Sequence, residues 1–219
     1  GTQSVCVRII AMEHTGIDEL DELEQIAAAG GSGLEARILC RVECGTRQLP
    51  VHAFCLGNRD PCAPAIGIFG GVHGLERIGA QVAITFLQSI LSRLRWDTTL
   101  QSQLERLRLV FVPVVNPGGM WRRTRANPNG VDLMRNAPLD AVGKPPFLIG
   151  GHRLGPHLPW YRGSAAAAPE VESAAVCRLV EEELLSHRFS IAVDCHSGFG
   201  VSDRIWFPYA HTVQPIPHL

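Results

Sequence analysis

The chain lacks the features that mark membrane, secreted or nucleic-acid-binding proteins. No apolar run approaches the roughly 20 residues that cross a bilayer. The N-terminus has no charged segment followed by an apolar signal core, although a start at Gly1 leaves a previously removed signal peptide open. The 20 basic residues form no long tract, and a formal net charge of -1 gives little attraction for a polyanion. We therefore predict neither a membrane nor a nucleic acid as a partner.

Cysteine pairs at the CxxC spacing that is typical of zinc knots and redox motifs are also missing. The seven cysteines are an odd set without any CxxC pair, which disfavours a disulfide framework and a structural zinc knot. Several of them, such as Cys40 and Cys55, lie in apolar stretches, where a free cysteine behaves as a small buried hydrophobe. A reducing compartment suits this usage best, so we predict a cytoplasmic location.

The composition that remains is that of a globular protein. With 219 residues, 46% hydrophobic and 19% charged, the chain can bury one sizeable core, and it contains no internal repeat or low-complexity segment. We predict a single domain over residues 1–219.

Hydrophobic periodicity predicts alternating helices and strands, which favours an α/β sheet. Helices are expected over residues 17–29, 78–94, 98–106 and 169–186, and strands over 36–43, 50–56, 65–69, 108–115, 190–193 and 204–209. The first two strands read as a hairpin, because the turn-like residues 44–47 separate them. Residues 116–159 are rich in Gly, Pro and Asn and are predicted to form a long functional loop.

Polar residues follow three of the buried strands. His73 and Glu76 come after the strand at 65–69, Asn116 after the strand at 108–115, and His196 after the strand at 190–193. Ligands of open α/β sheets bind beyond the carboxyl ends of strands, so these residues are expected to meet in one crevice. Two imidazoles, one carboxylate and an open position form the ligand set of a catalytic zinc. The sequence therefore predicts a zinc hydrolase.

A set of short motifs resembles the zinc carboxypeptidases of the funnelin type over roughly residues 50–210. Each motif is weak by itself, but their order and spacing agree jointly with the family. They are His73-Gly74-Leu75-Glu76, Asn116-Pro117-Gly118-Gly119, Trp121-Arg122-Arg123-Thr124-Arg125, Gly130-Val131-Asp132-Leu133-Met134-Arg135-Asn136, Tyr161-Arg162-Gly163 and Asp194-Cys195-His196-Ser197.

The resemblance implies a fold and a division of labour. The fold is a three-layer α/β/α domain with a mixed central sheet. His73, Glu76 and His196 would hold one Zn²⁺ ion, while Arg122 would stabilise the oxyanion of the reaction. Arg135 would pair with the terminal carboxylate of a peptide that has a free C-terminus, and Arg125 would assist in the same cleft.

Two positions depart from the family pattern. Met134 stands where the family commonly has Asn before the carboxylate-binding arginine, and it cannot donate a hydrogen bond. The family's general base is a Glu well downstream of the second His ligand, whereas Asp203 is the only acid that follows His196 here. The chain is therefore expected to be the front portion of a catalytic domain, lacking its C-terminal part.

Three functions remain open on this reading. The first is a metallocarboxypeptidase that releases C-terminal residues. The second is a zinc-dependent deacylase or amidohydrolase of the aspartoacylase type, which Met134 favours slightly. The third is a non-catalytic domain that binds metal or peptide.

Overall fold

A computed structural model describes residues 15–31, 33–198, 201–202, 204–205 and 214. Five strands form one sheet, and they are β1 (Glu35–Cys44), β2 (Arg47–Gly57), β3 (Ala65–Gly70), β4 (Arg108–Val112) and β5 (Ser190–Cys195). Their order across the sheet is β1-β2-β4-β3-β5. β1 and β4 both run antiparallel to β2, while β4 and β5 both run parallel to β3. The mixed sheet of the prediction is thus confirmed.

Helices cover both faces of this sheet. On one face, α1 (Asp18–Ala29) and α2 (Arg77–Arg93) contribute Leu20, Leu23 and Leu87 to a core that includes Phe54 and Phe111 of the sheet. On the other face, the core formed by side chains such as Val51 and Val110 is covered by α5 (Val171–Val180) through Leu179. The three-layer α/β/α architecture is therefore also confirmed.

The local pattern explains why the first helix and hairpin form where they do. Leu20, Leu23 and Ile26 recur at helical spacing and are all buried, and α1 ends at Gly30, whose φ of 61° suits glycine. Gly45 has a φ of 65° in the two-residue turn between β1 and β2. Glycine adopts this left-handed conformation without steric cost, which fixes the register of the hairpin.

Several predicted elements differ in extent from the structure, and three of the differences are informative. β4 ends at Val112 instead of residue 115, because Pro113 has no N–H to extend the ladder. The helix predicted for residues 169–186 is α-helical only to Val180 and continues as one π-helical stretch over Glu181–Leu185. Residues 204–205 are not in a strand, and residues 206–209 of that predicted strand lie outside the described residues.

The segment predicted as one long loop contains two helical turns. α4 (Pro117–Arg122) begins directly after β4, and a single 3₁₀ turn covers Leu133–Arg135. The Asn116 side chain accepts a hydrogen bond from the Gly119 N–H at 2.8 Å, and Pro117 stands at the first helical position. Asn as N-cap followed by Pro is a helix-start signal, so this part of the loop prediction was wrong.

The short helix α3 (Thr98–Leu104), which precedes β4, agrees with the prediction.

No described helix combines the length and apolar character that a bilayer crossing requires.

A buried histidine makes the stability of the fold depend on pH. His52 in β2 is 4% exposed, its Nε2 has no hydrogen-bond partner among the described residues, and its ring stacks on Phe54. Burial, helped by the charge of Arg41, lowers the pKa of His52 from 6.5 to about 4. Below pH 6.5 the His52 imidazole therefore becomes protonated in the unfolded chain, whereas in the folded chain it stays neutral down to about pH 4. We expect this residue to remove about 2 kcal/mol of stability between pH 6.5 and pH 5.

Urea unfolding of the parent and of His52→Leu at these two pH values measures this contribution. The variant should lose about 2 kcal/mol less than the parent on acidification, since only the parent carries the titrating ring. Equal losses in the two proteins would show that His52 is not the responsible group.

Candidate metal centre

The carboxyl ends of β3 and β5 lie side by side and carry the predicted ligands. Gly70 at the end of β3 pairs with Cys195 at the end of β5, so the loop with His73 and Glu76 starts next to His196. Gly79 in α2 lies against the Cys195 carbonyl, in a space that a Cβ would fill. This contact holds the start of α2 against the end of β5. The Cys195 side chain packs against the apolar core on the α2 face of the sheet and does not belong to the group of potential metal ligands.

The structure brings His73, Glu76 and His196 together. One ligand atom from each of the three residues lies within 4.8 Å of the other two, and among the described residues this is the one group of three or more potential ligands with that property. His73 Nδ1 is 3.0 Å from Glu76 Oε1, and the two imidazole rings meet edge to face with centroids 4.8 Å apart. Glu76 Oε2 accepts a hydrogen bond of 3.0 Å from the Ser197 N–H.

The donor set fits a divalent metal. His196 Nδ1 is 3.0 Å from Asp194 Oδ1, while its Nε2 is buried without a partner among the described residues. A proton shared between Nδ1 and Asp194 leaves Nε2 with a free lone pair, which is the state a metal ligand requires. A buried, unsatisfied nitrogen is costly in a protein, and a bound cation would satisfy it.

Asp132 is a site residue that the sequence reasoning missed. Its carboxylate is 1% exposed, with Oδ1 3.3 Å from His73 Nε2. Its Oδ2 accepts hydrogen bonds from Arg125 Nε at 3.1 Å and from Arg135 Nη1 at 3.0 Å. A carboxylate behind a ligand histidine orients the ring and makes it a stronger donor. The signal that could have indicated it was its place in the motif of residues 130–136, three residues before Arg135.

The ionisable groups of this cluster stabilise one another's charged forms. Burial opposes the ionised form of Asp132, but the hydrogen bond with His73 and the charges of Arg135 and Arg125 bring its pKa down to about 2. Burial likewise works against the charged forms of His73 and Glu76. The hydrogen bonds to Asp132 and Glu76 nevertheless raise the pKa of His73, and those from His73 and Ser197 lower the pKa of Glu76.

Two of the three predicted arginines lie in this network and the third does not. Arg125 donates from Nη1 to Glu76 Oε1 at 3.3 Å in addition to its bond with Asp132. Arg135 is anchored by Asp132 and by the Ile149 carbonyl, which accepts from Nε at 2.7 Å. Arg122 is exposed and donates from Nη1 to the Pro128 carbonyl at 2.7 Å. No hydrogen bond or ion pair joins Arg122 to the cluster among the described residues.

Asn116 ties the loops of the site together. Its side-chain amide is fully buried and donates to the Val72 carbonyl at 3.2 Å and to the Arg125 carbonyl at 3.4 Å. Gly74, between the two ligands of the first loop, packs so closely on the backbone of Gly119 that a Cβ there would overlap it. The three predicted strand ends therefore do meet in one place.

The chain matches the family model described as zinc carboxypeptidase over residues 38–219. The chain belongs to the zinc carboxypeptidase family. Carboxypeptidase A4 of Mus musculus is 29% identical over an alignment of 198 residues that covers 82% of this chain and 44% of that protein. Carboxypeptidase A2 of Rattus norvegicus is 25% identical over an alignment of 213 residues that covers 90% of this chain and 47% of that protein. The chain thus spans less than half the length of these relatives.

The solved structures of two proteins share this fold. Carboxypeptidase A from Helicoverpa armigera superposes with a TM-score of 0.61 at 16% identity, over 81% of this chain and 44% of that one. Bovine thrombin-activatable fibrinolysis inhibitor, in complex with tick carboxypeptidase inhibitor, superposes with a TM-score of 0.66 at 20% identity, over 93% and 66%. At these identities the likeness concerns the fold alone.

Asp132→Asn is expected to weaken zinc binding by about 10- to 100-fold while the protein stays folded. The amide keeps the shape of the carboxylate but removes the charge that orients and polarises His73. Competition with a chromophoric chelator gives the zinc affinity. Asp140→Asn is the matched control, because the Asp140 carboxylate is exposed and pairs with Arg162. Equal affinities of the two variants would contradict the role of Asp132.

Proposed function

We propose that this chain binds one zinc ion through His73, Glu76 and His196 and hydrolyses the C-terminal peptide bond of peptides. The observation that carries the metal assignment is the convergence of three ligand atoms within 4.8 Å, one of whose residues has a buried nitrogen without a partner among the described residues. Family membership supports a peptidase-type hydrolase. The substrate and the activity of this chain are our inference from that membership.

The residues around the ligands would hold them for catalysis. Asp132 fixes the ring of His73, and the Ser197 N–H together with Arg125 holds the carboxylate of Glu76. A bound zinc ion would supply Lewis acidity toward the scissile carbonyl and lower the pKa of a water molecule. The protein would contribute rigid, deprotonated ligands with little reorganisation during the reaction.

Arg135 is the proposed anchor for the carboxylate of the peptide. Its Nη1 and Nε are engaged by Asp132 and by the Ile149 carbonyl, whereas its Nη2 makes no hydrogen bond among the described residues. The fixed guanidinium can therefore donate to a substrate carboxylate without first having to order its own side chain. Arg125 adds positive charge beside it through the shared Asp132.

Arg122 is proposed as the oxyanion-stabilising residue on the strength of its motif. In the structure its guanidinium bonds to the Pro128 carbonyl, so this role requires the side chain to turn toward the substrate. Asp203, the one acid that follows His196 in the sequence, lies outside the described residues.

We propose a peptide with a free C-terminus as the partner, and we expect neither a nucleic acid nor a membrane. A cytoplasmic location is proposed from cysteine usage, and the six cysteines in the described residues are all free.

Mass spectrometry of peptides with free C-termini, mixed with N-acyl amino acids, tests the function. The mixture is incubated with the zinc-loaded chain and with a chelated control. Chelator-sensitive loss of single C-terminal residues would support the carboxypeptidase. Deacylation alone would move the assignment to an aspartoacylase-type hydrolase. Metal binding without turnover of either substrate would make this chain a binding domain on its own.

A further inference from the structure

The N-terminal helix reaches the residue next to a proposed metal ligand. Glu19 of α1 is 2% exposed, and its carboxylate accepts two hydrogen bonds from Arg77, one from Nε at 2.8 Å and one from Nη2. Gln81 Nε2 adds a longer bond of 3.4 Å to the same carboxylate. Arg77 directly follows Glu76 in the chain and is the first residue of α2. One buried carboxylate thus holds the backbone at the point where the ligand loop becomes a helix.

In this ion pair, Glu19 lies outside the family match and Arg77 lies inside it. The match begins at residue 38, whereas α1 covers Asp18–Ala29. Burial of a carboxylate is costly unless its charge is paired, and a bidentate guanidinium provides such a partner with fixed geometry. Burial opposes the ionised form of Glu19, yet the hydrogen bond and charge of Arg77 lower its pKa. The pair is therefore an ionised, directional contact.

A second set of contacts links the same N-terminal region to α4. Arg47 donates from Nη1 to the Thr15 carbonyl at 2.8 Å and places its guanidinium 4.2 Å from the ring centroid of Trp121. Trp121 lies in α4, beside Arg122. Gly16 packs on the Trp121 ring so closely that a Cβ there would overlap it. Residues 15–19 therefore contact both α4 and the first turn of α2, directly after Glu76.

We propose that Glu19 and Arg77 are positioning residues for Glu76, which makes α1 a functional part of the metal centre. Neither residue would touch the metal or the substrate. Their ion pair would fix the position from which the Glu76 carboxylate reaches His73 and the Ser197 N–H. This inference rests on the metal site of the proposed function.

The test compares Glu19→Gln with Glu22→Gln. Both substitutions remove one carboxylate charge from α1, but Glu22 is exposed and accepts only a 3.3 Å bond from Gln88, away from the ligand loop. Zinc affinity is measured by chelator competition, and the visible absorption spectrum of the Co²⁺-loaded protein reports ligand geometry. We expect Glu19→Gln to bind zinc about tenfold more weakly and to alter the Co²⁺ spectrum, with Glu22→Gln like the parent.

Arg77→Lys serves as a second variant in case Glu19→Gln does not fold. Lysine keeps the positive charge but loses the bidentate fork, so we expect a smaller loss of zinc affinity, about three- to fivefold. Parent-like zinc affinity and Co²⁺ spectrum in either folded variant would overturn the positioning role. A parent chain that binds no zinc would instead overturn the proposed function, on which this role depends.

Discussion

Loss of bound zinc is the expected result of replacing either His73 or His196 by alanine. Each substitution removes a neutral nitrogen donor from a three-ligand set, and alanine offers no replacement. We expect the zinc content after dialysis to fall from about one ion per chain to below about 0.1. Elemental analysis by mass spectrometry measures this content. The core should remain folded, because neither residue belongs to the two apolar clusters of the sheet.

His157→Ala is the control for this prediction. His157 is exposed, and its replacement should leave one zinc ion per chain. Circular dichroism of the metal-free proteins separates loss of ligand from loss of fold. Stoichiometric zinc in folded His73→Ala or His196→Ala would refute the ligand assignment.

Replacing Arg108 by alanine should cost about 2–4 kcal/mol of unfolding free energy. The Arg108 side chain is 1% exposed at the first position of β4. It donates to Glu35 at 2.8 and 3.1 Å and from Nε to Glu183 at 2.9 Å. Alanine would remove these hydrogen bonds and leave a cavity, and the remaining partners of the two carboxylates, Arg59 of Glu35 and Arg37 of Glu183, are both exposed.

Urea unfolding compares this variant with Arg59→Ala. Arg59 also pairs with Glu35, but its side chain is 72% exposed. A solvent-exposed ion pair contributes little to stability, so Arg59→Ala should be nearly neutral. Similar losses in the two variants would show that burial does not set the value of the Arg108 contacts.

The sequence predicted those parts of the fold in which local pattern and packing agree. In α1, the helical spacing of Leu20, Leu23 and Ile26 matches the buried face of the helix. The ends of elements were less accurate where one residue decides the outcome. Pro113 stops β4 three residues early, and Asn116 starts a helix inside the segment predicted as a loop.

The site was predictable to the extent that chain order reflects space. Strand-end placement correctly predicted that His73, Glu76 and His196 converge, because β3 and β5 are parallel neighbours. Asp132 and Glu19 could not be inferred in this way. Their importance depends on which distant side chains reach them, namely His73 for Asp132 and Arg77 for Glu19.

The position of Asp132 has a thermodynamic consequence. One buried carboxylate divides its negative charge between His73 and the two arginines. A substrate carboxylate bound to Arg135 would compensate part of the positive charge of that guanidinium. The negative charge of Asp132 would then act more strongly on His73. Metal and substrate would then bind with positive cooperativity. Because such coupling is reciprocal, a bound zinc ion would raise the affinity for the proposed C-terminal carboxylate by the same factor by which that carboxylate would raise the affinity for zinc.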